Sequence, residues 1–304
     1  MIEIAIMIEG QNGLTWPRWQ AIVRLVEELG FIGLYRSDHF TNARPPDIES
    51  LDLWVSLTWL AGNTTRIEFG PLVTPFSFRQ PPFMARAAAA VDDLSGGRLT
   101  LGMGAGWQER EHEVFGFHLL DLDGRFARFQ EGLECVTRLL QSEGPVTFDG
   151  RYYHLHEAQV LPRPQRPGGP RILIGGNGIR RTLPLAARYA SEWNANLLRA
   201  ADFKRANQRL DSLLIANGRA TNAVRRSLMT GCMFAKDERG FEKKLAARGW
   251  SKQELLDRGM IVGVGSEINE QLEQLSEAGV QRIMLQWLEL DDLEGLRDLA
   301  SVVL

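Results

Sequence analysis

A chain of 304 residues, 44% hydrophobic and 24% charged, is long enough to bury a core without disulfide or metal staples. Its 35 basic and 38 acidic residues leave a net charge of −3, which gives no electrostatic case for nucleic acid. No window approaches the roughly 18 uninterrupted apolar residues of a membrane span, and the two cysteines, Cys135 and Cys232, read as reduced thiols of a cytoplasmic protein rather than a disulfide or metal site.

The opening "MIEIAIMIEG" reads as a buried strand over 2–9; it has no basic n-region and carries Glu3 early, unlike a signal peptide. A helix follows over 17–30, with Trp19, Ile22, Val23, Val26 and Leu29 at helical spacing and Gly30 as a stop. "GLYRSD" is a second strand, "LDLWVSLTWLAG" a second helix and "RIEFGPLVT" a third strand, followed by the helix "PPFMARAAAAVDDLSGG". "RLTLGMGAG" is a fourth strand, then "FGFHLLDLDGRF" reads as loop before a long helix from about Gly124 to Gln141. A "DG" between alternating runs predicts a hairpin insertion near 145–160. "RILIGG", "EWNAN" and "RSLMTGCMFA" are strands five to seven, with helices between them. Two charged helices near 236–262 look like a second insertion. "SEINEQLEQLSEAG" reads as a helix capped by its leading serine, "RIMLQW" is the eighth strand, and "DLEGLRDLASVV" closes the chain. Eight strands alternating with helices predict a single-domain (β/α)8 TIM barrel over 1–304.

In such a barrel chemistry sits at the C-terminal strand ends. Strand two ends in Asp38 and His39, an acid beside the side chain that titrates nearest neutrality. Neighbouring strand residues face opposite ways, so the two are not expected to pair with each other. Strand three ends in Leu72, Val73 and Thr74, which read only as an apolar strand stopped by proline. Strand four ends in Gly104, Ala105 and Gly106. Those glycines either thin the wall for a flat ligand or, in a doubly wound fold, open a nucleotide or S-adenosylmethionine site. The turn Gly175-Gly176-Asn177-Gly178 precedes a helix and two arginines, the pattern of a phosphate cradle or of a plain tight turn. Strand six ends in Trp193, Asn194, Ala195 and Asn196. The other histidines read as surface or packing residues, Arg79 and Arg110 as surface arginines or as aids to an anionic cofactor tail, and no cluster has the composition of a metal site.

Taken in order, "EGQNGLTW", "LYRSDHF", "FGPLVTPFSFRQPP", "LSGGRLTLGMGAGWQEREHEVFG", "RILIGGNG" and "SEWNAN" resemble the bacterial luciferase-like superfamily. The resemblance is strongest to its branch of oxidoreductases that use the deazaflavin coenzyme F-420. It implies a luciferase-like barrel, usually a homodimer, with the deazaflavin across the barrel mouth and a small-molecule substrate above it. It implies a non-prolyl cis peptide at Leu72-Val73 behind the ring, with Thr74 beside it. Gly104, Ala105 and Gly106 would border the ring, the turn 175–178 would hold a phosphate, and Asn194 would complete the site. Asp38 would line the cofactor and His39 would manage the proton that accompanies hydride transfer. Where sugar-phosphate dehydrogenases of this branch carry a proton-donating glutamate after the Gly-x-Gly stretch, this chain has Trp107, then Gln108 and Glu109. An FMN-dependent monooxygenase is the alternative on the same fold, and a non-catalytic flavin-binding protein ranks below it.

Overall fold

The computed structural model describes residues 2–304. In chain order it contains β1 (Glu3–Ile8), α1 (Trp16–Leu29), β2 (Gly33–Arg36), α2 (Leu53–Asn63), β3 (Glu68–Pro71), β4 (Thr74–Pro75), α3 (Pro81–Leu94) and β5 (Thr100–Gly104). Next come α4 (Glu109–Phe115), α5 (Leu122–Gln141), β6 (Val146–Asp149), β7 (His154–Ala158), β8 (Arg171–Gly175), α6 (Thr182–Tyr189), β9 (Glu192–Asn196) and α7 (Ala200–Ala216). The last part comprises β10 (Arg225–Phe234), α8 (Glu238–Arg248), α9 (Lys252–Asp257), β11 (Ile261–Gly263), α10 (Gly265–Glu277), β12 (Arg282–Gln286) and α11 (Leu293–Val303).

One parallel sheet runs β3-β2-β1-β12-β10-β9-β8-β5-β4. It closes on itself because β4 takes up the line of β3 and pairs with β5, Thr74 with Met103 and Pro75 with Gly104. Phe69 bridges Leu99 across the same seam. With β3 and β4 counted as one stave, the result is an eight-staved α/β barrel, which excludes the open doubly wound sheet that "GMGAG" could have opened. The hairpin is present as the antiparallel pair β6 and β7, outside the barrel.

The non-prolyl cis peptide expected between Leu72 and Val73 is present, and there the expected third strand divides into β3 and β4. Two further differences stand out: α4 forms where no element was expected, too short and too polar to show a helical period, and α5 begins at Leu122, inside the stretch 115–126 that reads as loop. Ser266 does not cap α10; the helix begins at Gly265, and the Val264 N–H donates to Glu267 Oε2 at 3.2 Å.

Strand alternation sorts the side chains into two cores. Ile4, Ile6, Leu34, Phe69, Leu101, Ile172, Ile174, Trp193, Leu228, Ile283 and Leu285 face outward and pack under the helices. Ala5, Met7, Tyr35, Leu72, Leu173 and Met284 face inward and fill the barrel's interior. At the N-terminal end a charged plug seals the interior. Arg282, fully buried, donates to Tyr35 Oη at 2.8 Å and pairs with Glu68 at 2.8 Å and Glu3 at 2.7 Å, with Glu192 at 3.6 Å. The closed bottom leaves the C-terminal strand ends as the open face.

Candidate active site

Strand two delivers Ser37, Asp38 and His39 to that face. Asp38 is buried, and its carboxylate is fully engaged: it accepts from Thr74 Oγ1 at 2.7 Å and from Arg79 Nε and Nη2 at 3.0 and 2.7 Å. A two-pronged guanidinium–carboxylate contact of this kind fixes orientation as well as charge. Arg79 is therefore not the surface arginine expected from sequence; it clamps β4 to the end of β2.

His39 points elsewhere. Its Nδ1 lies 3.0 and 3.1 Å from the two carboxylate oxygens of Glu111, and the Phe40 N–H donates to Glu111 Oε2 at 3.1 Å. Glu111 sits on α4, 1% exposed. Burial pushes the imidazole pKa down, but the hydrogen bond and charge of Glu111, with Glu9 and Asp38 behind it, outweigh that and leave it raised above 6.5. With Nδ1 committed to a carboxylate, Nε2 is the nitrogen left to exchange a proton with a reacting group. Trp107, 61% exposed, stands edge-on to the imidazole with ring centroids 5.6 Å apart. Phe40 packs among Phe78, Phe115 and Phe117, which shields the same flank from water.

Sequence reasoning looked for an acidic partner directly after the glycines, at 107–109, and passed over Glu111. The signal was the short segment "QEREHEVF", in which a helical turn carries Glu111 inward while Glu109 stays exposed. His112 is a packing residue, as read: it is buried, with Nδ1 2.6 Å from Gln108 O. Arg110 stays at the surface, paired with Asp47.

On the neighbouring stave, the cis-linked Val73 is partly buried and its side chain lies among glycines. A Cβ on Gly104 would come within 2.5 Å of Val73 Cγ2, one on Gly175 within 3.0 Å of Cγ1, and one on Gly102 within 3.3 Å of Cγ1. So Gly104 and Gly175 do not bare the wall to a ligand directly: they make room for Val73, which becomes the apolar floor. Leu72 turns inward into the barrel core. Gly106, at φ 83°, lies against Ser77: a Cβ there would sit 2.3 Å from Ser77 Oγ, a buried hydroxyl with no hydrogen-bond partner among the described residues. Ala105 is half-buried between these glycines.

The turn after β8 is tied to its neighbour. Asn177 Nδ2 donates to Asn196 O at 2.7 Å and the Asn196 N–H returns to Asn177 Oδ1 at 2.9 Å, while Gly176 takes φ 123°. Gly178 O accepts from the N–H groups of Thr182 and Leu183, which starts α6; Pro184 has no N–H, so the first turn of α6 offers an anion no free amide and the exposed turn before it is what faces the mouth. Arg180 is exposed there, and Arg181 pairs with Asp123. Asn194 is placed differently from the rest: it is buried inside the barrel, donating to Ser227 Oγ at 2.9 Å and Met284 Sδ at 3.5 Å. Asn196 is the amide that reaches the rim.

The structure thus gathers a partly buried apolar floor, a small-residue border, an exposed glycine turn and a carboxylate-held imidazole around one mouth. A flat ring with an anionic tail fits this set: Val73 offers the face, Ser77 Oγ an unpaired polar group at the border and the 176–178 turn a place for negative charge. No group of acidic, His or Cys side chains among the described residues could hold a metal ion.

A closed parallel barrel with that mouth is the architecture of the luciferase-like proteins, and the chain belongs to the luciferase-like monooxygenase family, whose model matches residues 3–287. Among curated relatives it is similar to an "F420-dependent glucose-6-phosphate dehydrogenase" of Kineococcus radiotolerans, 36% identical over 51% of this chain and 46% of the relative. It is also similar to a "4-hydroxyprotoasukamycin monooxygenase" of Streptomyces nodosus subsp. asukaensis, 29% identical over 60% of this chain and 47% of the relative. The matches thus span about half the length of these relatives. Among solved structures, an "F420-dependent secondary alcohol dehydrogenase in complex with an F420-acetone adduct" superposes with a TM-score of 0.88 at 17% identity, covering 99% of this chain and 98% of that one. At that identity the likeness concerns the fold.

Proposed function

We propose that the chain is an oxidoreductase that uses coenzyme F-420 to move a hydride to or from a small organic substrate. The observation that carries the reading is the His39–Glu111 pair, a proton-exchanging imidazole held beside an apolar floor built for a ring. When bound, the deazaflavin supplies the hydride chemistry. Val73 and the glycines around it would support the ring, and the turn Gly176–Gly178 with Arg180 would hold its phosphate. The chain's own task is the proton: His39 gives or takes it at Nε2, Glu111 fixes the imidazole's tilt and charge, and Asp38 with Arg79 and Thr74 locks the strand end that presents it. The names of the curated relatives support the cofactor assignment.

In the FMN-dependent monooxygenase reading, favoured by the monooxygenase relative, the same floor carries a flavin and reduced FMN would drive oxygen uptake. Three finer points belong to the proposal: one barrel domain with insertions near 145–160 and 236–262, a homodimer, and a cytoplasmic location. The last is supported by Cys135 and Cys232, which form no disulfide with each other. None of the described helices is long and apolar enough to cross a membrane. The test is turnover of the F-420-loaded protein over a panel of alcohols and carbonyl compounds, with His39→Ala beside it. That variant should bind the cofactor and turn over about 10²–10⁴-fold more slowly, the usual contribution of a general acid/base. Equal turnover would remove His39 from the mechanism.

A further inference from the structure

On the same open face, across the mouth from His39, lies a cavity of about 400 Å³ that the argument so far leaves unassigned. It is bounded by the ends of β9, β10 and β12 and by the two charged helices α8 and α9 with the loop between them. Leu197, Trp250, Leu255, Met260 and Leu288 form its walls, and Gln286 is its one uncharged polar side chain. Gly231, on β10, has no side chain to fill it: a Cβ there would come within 2.5 Å of Met260 Cε, so Met260 folds over the bare backbone as an adaptable thioether floor. Leu197 is held at φ 51°, a conformation Asn or Gly takes more readily, and this places an exposed apolar side chain on the wall.

Two of the three cations around the cavity are held by carboxylates. Lys244 pairs with Glu289 and Asp292, and Arg248 with Glu289 at 3.7 Å. Arg258 has no carboxylate partner among the described residues; its guanidinium carbon lies over the Trp250 indole, 3.7 Å from the ring centroid, where it stiffens an aromatic wall. The cavity also connects to the proton-handling residues. Gln286 donates to Glu9 Oε1 at 2.7 Å, Glu9 Oε2 accepts from Gln11 at 2.9 Å, and Gln11 accepts from Ser37 Oγ at 2.7 Å, two residues before His39.

We propose that this cavity is the substrate subsite and that it selects an uncharged, predominantly apolar alcohol or carbonyl compound rather than a phosphorylated sugar. Its role as a substrate subsite rests on the oxidoreductase reading; its preference for apolar ligands rests on the walls alone. Burial of a hydrocarbon chain against five apolar side chains supplies the affinity, and Gln286 offers the one hydrogen-bonding group for an oxygen. Stacked on Trp250, Arg258 keeps its in-plane N–H groups open to an anion, so it is the one cation here that a phosphate could use without drawing Arg248 and Lys244 from their carboxylates.

The test is calorimetric titration of the purified protein, with and without coenzyme F-420, using 2-octanone and glucose 6-phosphate as probes, on the parent chain and on Trp250→Ala, Leu288→Lys and Arg258→Gln. Cofactor affinity is measured in parallel by deazaflavin fluorescence. Saturable binding of 2-octanone, weakened about tenfold or more in Trp250→Ala and Leu288→Lys with cofactor affinity unchanged, is the expected result. No saturable binding of 2-octanone to either form overturns the proposal, as does binding of glucose 6-phosphate that Arg258→Gln abolishes. Binding of 2-octanone by a protein that takes up no deazaflavin supports the apolar cavity while defeating the coenzyme F-420 reading, so the two can fail separately.

Discussion

His39 stands where desolvation and a carboxylate act against each other. Burial favours the neutral imidazole, Glu111 favours imidazolium, and the outcome is a pKa raised above 6.5. A group raised in the folded state contributes stability that is fully present below pH 6.5 and is lost as the pH climbs through its folded value. The same shift sets activity: for the direction that needs a proton donor, the rate should hold to a pH above 6.5 before falling. Glu111→Gln keeps the side chain's shape but removes its charge. We expect the falling limb to move to lower pH and the rate at neutral pH to drop about 10-fold or more, with cofactor affinity kept. An unmoved pH profile in this variant would mean that Glu111 only packs. Asp38 was legible in the sequence as a polar strand end, but its partners were not. Arg79 is 41 residues away in the chain, and no local spacing announces a clamp of that reach.

The junction between β3 and β4 decides whether a ring has a floor. Val73 is β-branched and stiff, and it is held between the backbones of Gly102, Gly104 and Gly175. A methyl group at position 104 would begin 2.5 Å from Val73 Cγ2, and Gly175, close to Cγ1, blocks retreat on the other side, so Val73 would be driven toward the mouth. Gly104→Ala should therefore cost about 1–3 kcal/mol of stability, the usual range for overpacking. It should weaken cofactor binding by at least about tenfold on the proposed geometry. A variant with normal cofactor affinity would show that the ring does not rest on Val73. The glycines at 104 and 175 were readable as positions where backbone and ligand approach closely. What they approach is a side chain from the neighbouring stave, a pairing that only barrel closure creates. Likewise α4 was hidden because seven residues give too few turns for a period to emerge, and Glu111 was hidden with it.

At the scale of the molecule, alternation carried most of the architecture: the strand and helix runs from "IEIAIMIE" to "RIMLQW" fall where the barrel has them, because inward and outward positions are both apolar and each run is bounded by glycine, proline or caps. The plug around Arg282 was not legible in the same way. Glu3, Glu68 and Glu192 begin three separate strands, and only the parallel register brings them onto one guanidinium. That plug closes one end of the barrel, the clamp at Asp38 fixes the other, and the account rests on what the open end receives. The measurement that tests it most directly is a side-by-side fluorescence titration of the purified protein with coenzyme F-420 and with FMN. The account predicts micromolar or tighter binding of the deazaflavin and clear discrimination against FMN. Preference for FMN, or binding of neither, would contradict it.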